Sequence, residues 1–321
     1  MTDAFIVVDK PPGLTSHDIV AVVRAVTGLK KVGHTGTLDP FATGVLPLAL
    51  GGATRLIPFL DEAEKVYDAT IRLGTQTDTG DPTGQVVREA GVPTLKAAAV
   101  EAVLATFVGA REQVPPKFSA VKVQGRPLYS YARAGVEVEV RARTIQVFAM
   151  ELLELGPDSV RVRIRCSRGT YARVIAEEVA EALGTVGHLD QLRREASGRF
   201  VLDQAVSMSR LSTIVGGSAD WVTVLRPTRR EDRSPWRERS AILGGLGPFL
   251  ITPLQALGQL PKLTLSALEA RRFMQTGTAP GTARGGDRAV LLLEGHEVLG
   301  VVPPGGQKAV VLARESQAAR A

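Results

Sequence analysis

Eight consecutive residues, Gly33-His34-Thr35-Gly36-Thr37-Leu38-Asp39-Pro40, hold two glycines, two threonines, one of the four histidines of the chain and a carboxylate. Such a set could cradle a phosphate, help to hold a metal, present a nucleophile, or do no more than make a turn. Gly28, Gly33 and Thr35 fall on three fixed positions of the nucleotide-binding pattern G-x-x-x-x-G-K-[ST]. His34 stands where that pattern needs its lysine, and the residues before it read as helix rather than strand, so both requirements of a nucleotide loop fail. His17, His34, His188 and His296 have no paired spacing, and Cys166 is the only cysteine. The spacing therefore points to no zinc site and no internal disulfide. A serine hydrolase would need a G-x-S-x-G elbow, which is absent. Cys166 falls on the apolar phase of an expected strand and reads as a small buried hydrophobe. Asp39 stays open: Asp-Pro is a turn initiator, and spacing alone does not separate a presented carboxylate from a structural turn.

The elements that must position these residues follow from periodicity and punctuation. "FIVVDK" reads as a strand ended by Pro11-Pro12-Gly13. Thr15 or Ser16 then caps a helix running to about Thr27, with Asp18 in its first turn and Gly28 at its end. "TGVLPLALGGATRLIPFL" reads as an apolar turn-and-helix segment. "KVYDATIRLG" alternates like a strand, and "TQTDTGDPTG" after it is dense in turn formers. Leu95–Phe107 reads as helix, "VEVEVRARTIQVFAMELLEL" as strands, and "YARVIAEEVAEALG" as an amphipathic helix stopped by Gly184. Arg161 to Cys166 alternates basic and apolar residues, the pattern of a half-buried strand with a cationic outer face. More arginines follow at Arg168, Arg173, Arg193, Arg194 and Arg199. Strands and helices without regular βαβ alternation imply an α+β fold with a largely antiparallel mixed sheet.

A composition shift near residue 219 leads into "RPTRREDRSPWRER" (Arg226–Arg239), with six arginines against three acids. With the Gly-rich "LGGLGP" after it, this reads as an exposed insertion or linker over about 219–247. From about Phe249 the pattern becomes compact again. "LTLSALEARRFMQTG" reads as strand, capped helix and glycine stop, and "AVLLLEGHEVLGVVPPGGQKAVVLAR" as short strands joined by glycine turns. That is a small β-rich domain.

The length of 321 residues suggests about two domains, and 44% hydrophobic with 22% charged residues is ordinary for a soluble protein. No apolar run is long enough for a membrane span, and the first residues lack the pattern of a signal peptide. A cytoplasmic protein without a membrane role is the expectation. A net charge of +6 favours polyanionic partners, while an aromatic content of 5% argues against an unspecific stacking platform.

Six segments then carry a resemblance: "DKPPGLTSHD", "KVGHTGTLDPFATGVLPLALGGATR", "KVYDATIRLGTQTDTGDPTG", "QVPPKFSAVKVQGRPLYSYARAGVEVEVRARTI", "CSRGTYARVIAEEVAEALGTVGHLDQLRR" and "PKLTLSALEARRFMQTG". Together and in order they resemble the TruB-type tRNA pseudouridine synthases, from about residue 5 to 200 and again, weakly, after 249. Phe118 stands where the family pattern has tyrosine, and the Arg-rich stretch has no counterpart in it.

The resemblance implies a pseudouridine synthase catalytic domain over 1–248, with a thumb-like segment at about 113–140, and a PUA-like RNA-binding domain over 249–321. It implies isomerisation of uridine 55 in the tRNA T-loop without cofactor or metal. Asp39 of the "G-x-L-D-P" loop would be the nucleophile. Arg173 would be its ion-pair partner, since an arginine within about 4–6 Å can lower an aspartate pKa by roughly 1–3 units. Tyr67 would stack on the flipped base and assist proton removal from C5, although a free tyrosine pKa near 10 makes it a poor base. His34 would contact the T-loop, and Ile175 and Leu192 would wall the pocket. Lys10, Lys30 and Lys31, with Lys117, Lys122 and Arg126 of the thumb, would lie near RNA. The implied partner is tRNA, held at the T stem-loop and, through the C-terminal domain, at the acceptor stem. The protein would act as a monomer with no obligatory protein partner. The alternative is a tRNA-folding chaperone or RNA-binding protein on the same fold, an activity that can coexist with catalysis.

Overall fold

Strand β1 (Ala4–Lys10) is buried at all but one position, as a strand covered on both faces must be. The computed structural model of the chain describes residues 3–61, 64–216, 239–283, 286–306 and 308–312. They fall into two compact units, one of residues 1–40, 44–61 and 198–321, the other of 41–43 and 62–197.

In the first unit, β1 is followed by helix α1 (Ser16–Thr27), opened by a capping box between Thr15 and Asp18 and closed by Gly28 in the left-handed region. Strand β2 (Val32–His34) and strand β3 (Thr43–Leu50) flank the Asp39 loop. β3 runs antiparallel to β1, from Ala4 opposite Leu50 to Lys10 opposite Gly44, and takes β2 on its other edge. The turn-and-helix expectation for "TGVLPLALGGATRLIPFL" is corrected here: its first half is strand and its second a 3-10 helix, Gly51–Phe59. A strand buried on both faces loses the alternation that would mark it, so its apolar run reads equally well as helix.

The second unit is built on β4 (Glu64–Leu73), whose alternating burial follows its sequence pattern. A short hairpin of β5 (Thr75–Thr77) and β6 (Val86–Glu89), helix α2 (Ala97–Ala105) and strand β7 (Gly109–Gln113) come next. The thumb-like segment carries a small hairpin, β8 (Lys122–Val123) with β9 (Arg126–Pro127), and helix α3 (Leu128–Arg133). Strands β10 (Arg143–Leu155) and β11 (Ser159–Ser167), helix α4 (Ala172–Ala182) and strand β12 (Gly187–Ser197) complete the unit. The sheet order is β12-β4-β11-β10-β7, antiparallel throughout. The strand expected from Val136 begins only at Arg143.

β11 alternates as expected, with Val160, Val162, Ile164 and Cys166 buried. Its outer face is not a free cationic surface. Arg161 binds Asp68 at 2.7 and 2.9 Å, Arg163 binds Glu195 at 3.1 Å, and Arg165 binds Glu64 at 2.8 Å. Such exposed pairs add little stability but cancel the charge that would attract a polyanion.

The chain returns to the first unit with β13 (Phe200–Val201), β14 (Ala205–Ser207) and helix α5 (Met208–Val215). β14 lies parallel to β1, and β15 (Leu250–Ile251) pairs antiparallel to the start of the same edge. The Arg-rich stretch lies outside the described residues up to 238, and Arg239–Leu246 is helical. A four-stranded sheet follows: β16 (Lys262–Thr264), β17 (Val290–Glu294), β18 (Glu297–Val302) and β19 (Val310–Val311). Helix Ala267–Thr276 covers one face through Phe273, Leu292 and Leu299. Leu291, Leu293 and Val301 pack instead with Phe5, Val7 and Val45. The C-terminal β-rich segment thus shares a core with the N-terminal strands. Among the described residues no helix is long and apolar enough to cross a membrane.

Candidate active site

The Asp39 loop is held by the segment that ends β1 and starts α1. The backbone N–H of Leu38 donates to the Ser16 hydroxyl at 2.9 Å, and that hydroxyl donates to the Leu38 carbonyl at 3.2 Å. On the other side of Asp39, the Pro40 carbonyl accepts from Gly13 N–H at 2.8 Å and from Lys10 Nζ at 3.0 Å. The Leu38 side chain is buried beside the half-buried Asp39. The glycine that needs left-handed backbone is Gly44, at φ 99° where the chain re-enters β3, and not the two glycines inside the loop.

Lys10, expected among the phosphate contacts, is 0% exposed, and its Nζ also donates to the Pro11 carbonyl at 2.8 Å. Burial withdraws it from solvent and makes it a brace of the loop. His34 ends β2 half-buried, and its ring meets that of His17 edge-on at 5.2 Å. Sequence spacing gave no reason to link these two histidines. Lys30 and Lys31 are exposed.

The other expected site residues belong to the second unit. Tyr67 lies on the buried face of β4, directly opposite Ile164 of β11 and Arg194 of β12. Leu192 faces Ala69 across the β4–β12 pair and so stands diagonally beside Tyr67. Arg194, counted from sequence among a cationic series, is 1% exposed. Helix α4 packs on β4 and β12 and buries Arg173 and Ile175.

Arg173 is 4% exposed, and its guanidinium donates to the carbonyls of Thr79 at 2.8 Å and Phe118 at 2.9 Å. The Asp81 carboxylate lies 3.7 Å from the same group. Asp81 is itself tied by Thr79 Oγ1 at 2.8 Å, Thr83 N–H at 3.0 Å and Thr83 Oγ1 at 2.5 Å. Sequence reading missed Asp81, because "TQTDTGDPTG" registers only as turn formers. The departure at Phe118 is harmless to this contact, which uses only the backbone. Gln113, at the base of the thumb-like segment, fixes the start of α4 with two bonds to the Tyr171 backbone, 2.8 and 3.2 Å. Lys117, Lys122 and Arg126 are exposed on that segment, with Lys117 3.5 Å from Glu137 and Arg126 over the Tyr131 ring. Among the described residues no three His, Cys, Asp or Glu side chains converge to hold a metal.

Glu177, one turn beyond Arg173, is pressed against Gly80, where an added Cβ would come within 2.7 Å of its Oε1. Burial pushes its carboxyl from 4.5 up to about 7, aided by Glu181 and Glu178 and opposed by the Arg173 charge. The folded pKa is raised, so between pH 4.5 and about 7 the native state keeps a proton that the unfolded chain has lost. Stability therefore falls as pH rises through that window and levels above it. Urea midpoints of wild type and Glu177→Gln should differ least near pH 4.5, with the variant gaining in relative stability towards pH 8. A constant difference across this range would show that the carboxyl titrates normally.

The TruB family pseudouridylate synthase N-terminal domain matches residues 24–172. The tRNA pseudouridine synthase B of Geobacter sulfurreducens is 46% identical over 84% of this chain and 80% of its own length. That of Geotalea uraniireducens is 41% identical over 92% of this chain and 84% of its own. Among solved structures, a crystal structure of a Cbf5-Nop10-Gar1 complex matches 98% of this chain and 84% of that chain. Its TM-score is 0.65 at 24% identity, a likeness of fold.

Proposed function

The chain belongs to the TruB family of pseudouridylate synthases, and we propose that Asp39 is the nucleophile with which it converts uridine 55 of the tRNA T-loop. Family membership makes the chain a tRNA pseudouridine synthase, an isomerase. The reaction breaks the C1′–N1 bond, turns the uracil and joins C1′ to C5. C5 loses its proton, N1 gains one, and nothing is oxidised or hydrolysed overall. An ionised carboxylate suits this, because it can attack the sugar or the base and leave again. The target base must first leave its stack. In this reading Arg173 holds Asp39 ionised, Tyr67 offers its ring face to the flipped base, and Ile175 and Leu192 wall the pocket.

The observation that carries the reading is the bracing of the Asp39 loop, with both neighbours of the aspartate hydrogen-bonded. The test is a T-arm stem-loop carrying C5-tritiated uridine, incubated with the purified protein alone. Release of tritium without cofactor or guide RNA is expected. Release only when a guide RNA is added would place the chain with guide-dependent relatives instead.

His34, Lys30, Lys31, Lys117, Lys122 and Arg126 are assigned to RNA contact, and Lys10 to bracing the loop. The stretch 249–321 is read as a PUA-like module for the acceptor stem, beside a catalytic portion over 1–248. A cytoplasmic monomer with no obligatory protein partner completes the proposal. Replacing Lys30 and Lys31 together with alanine should weaken tRNA binding and flatten the slope of log K against log salt by roughly 1 to 2. An unchanged slope would exclude direct phosphate contact.

A further inference from the structure

We propose that the Ser16 hydroxyl is a positioning residue for the reaction, setting the direction of the Asp39 carboxylate through Leu38. The proposal rests on Asp39 being the nucleophile. One hydroxyl can donate once and accept at its lone pairs. Ser16 uses both abilities on a single residue 22 positions away, accepting from Leu38 N–H and donating to Leu38 C=O. Fixing both polar groups of Leu38 constrains the peptide planes on either side of it, and the second of these planes leads directly into Asp39.

The hydroxyl is itself rigidly based. Ser16 is 1% exposed and is the first residue of α1. The reciprocal cap beside it fixes the helix start, with Thr15 N–H donating to Asp18 Oδ2 at 2.8 Å and Asp18 N–H to Thr15 Oγ1 at 3.1 Å. On the far flank, Gly13 N–H and Lys10 Nζ hold the Pro40 carbonyl. Asp39 therefore sits between two neighbours tied to one short segment, residues 10–16. Chemistry that depends on a near-attack geometry is sensitive to such a tie, since a shift of about 1 Å can cost on the order of 100-fold in rate.

The experiment compares Ser16→Ala, Ser16→Thr and Asp39→Asn with wild type. Single-turnover rates and dissociation constants are measured on the same T-arm stem-loop, with circular dichroism at the assay temperature. Ser16→Ala should slow the single-turnover rate by about 10- to 100-fold and leave RNA affinity within about two-fold. Ser16→Thr, which keeps the hydroxyl, should recover most of the rate. A folded Ser16→Ala at wild-type rate would overturn the proposal. If Ser16→Ala does not fold, the threonine variant decides: near wild-type rate supports the proposal, and a rate as slow as expected for alanine overturns it. Asp39→Asn separates the two claims, since an active Asp39→Asn refutes the nucleophile whatever Ser16 does.

Discussion

Asp39→Asn should abolish pseudouridine formation, with a fall of at least about 10⁴-fold in single-turnover rate, a scale reached when a covalent nucleophile is removed. Asparagine has the same shape, so the bonds that brace Leu38 and Pro40 are left in place. The change removes only the charge and the nucleophilic oxygen. Affinity for the T-arm should accordingly stay within a few-fold, because binding is assigned to lysines, arginines and aromatic faces rather than to this carboxylate. Tritium release and a filter-binding titration on the same RNA read the two quantities separately. Full residual turnover in the variant would sink the assignment of the nucleophile, whereas a parallel loss of affinity would show that the carboxylate holds the loop rather than reacts.

The second large effect is expected at Arg173, and here stability and activity should part according to the replacement. The guanidinium is buried and spans the carbonyls of Thr79 and Phe118, with Asp81 at 3.7 Å. Arg173→Ala strands those carbonyls and leaves a buried carboxylate without its counter-charge, a defect worth about 3–5 kcal/mol when a buried pair loses one partner. Arg173→Lys keeps the charge but replaces a planar fork by a point donor, which cannot serve two carbonyls in the same geometry. The lysine variant should lose less stability than alanine and still react well below the wild-type rate. Urea unfolding and single-turnover assays on both variants measure this. An alanine variant as stable as wild type would show that the fork carries no load. A lysine variant at full rate would show that only the charge matters to the reaction.

How much of this was legible beforehand depends on the range over which each feature is encoded. Thr15, Asp18 and Gly28 mark the ends of α1 because caps and stops are local chemistry within a turn of the chain. The alternation of "KVYDATIRL" marked β4 as a strand for the same reason. β3 was not legible, since burial on both faces removes the periodicity that distinguishes strand from helix. The alternating arginines of β11 were legible as a strand but not as ion-paired. Their partners Asp68 and Glu64 come from the adjacent β4, and Glu195 from β12 beyond it, all distant in sequence.

The same division holds for the site. By itself the sequence determined the identities of Asp39, Tyr67 and Arg173 as candidates, because ordered motifs mark residue types regardless of where they fold. Tertiary structure alone decided that Lys10 is buried and holds the Pro40 carbonyl, that Asp81 accompanies Arg173, and that Ser16 holds Leu38. Those roles depend on contacts across 22 to 94 residues of chain. No local propensity encodes such a contact. It exists only once packing has brought the segments together and withdrawn water, so that each buried polar group must find its partner within the protein.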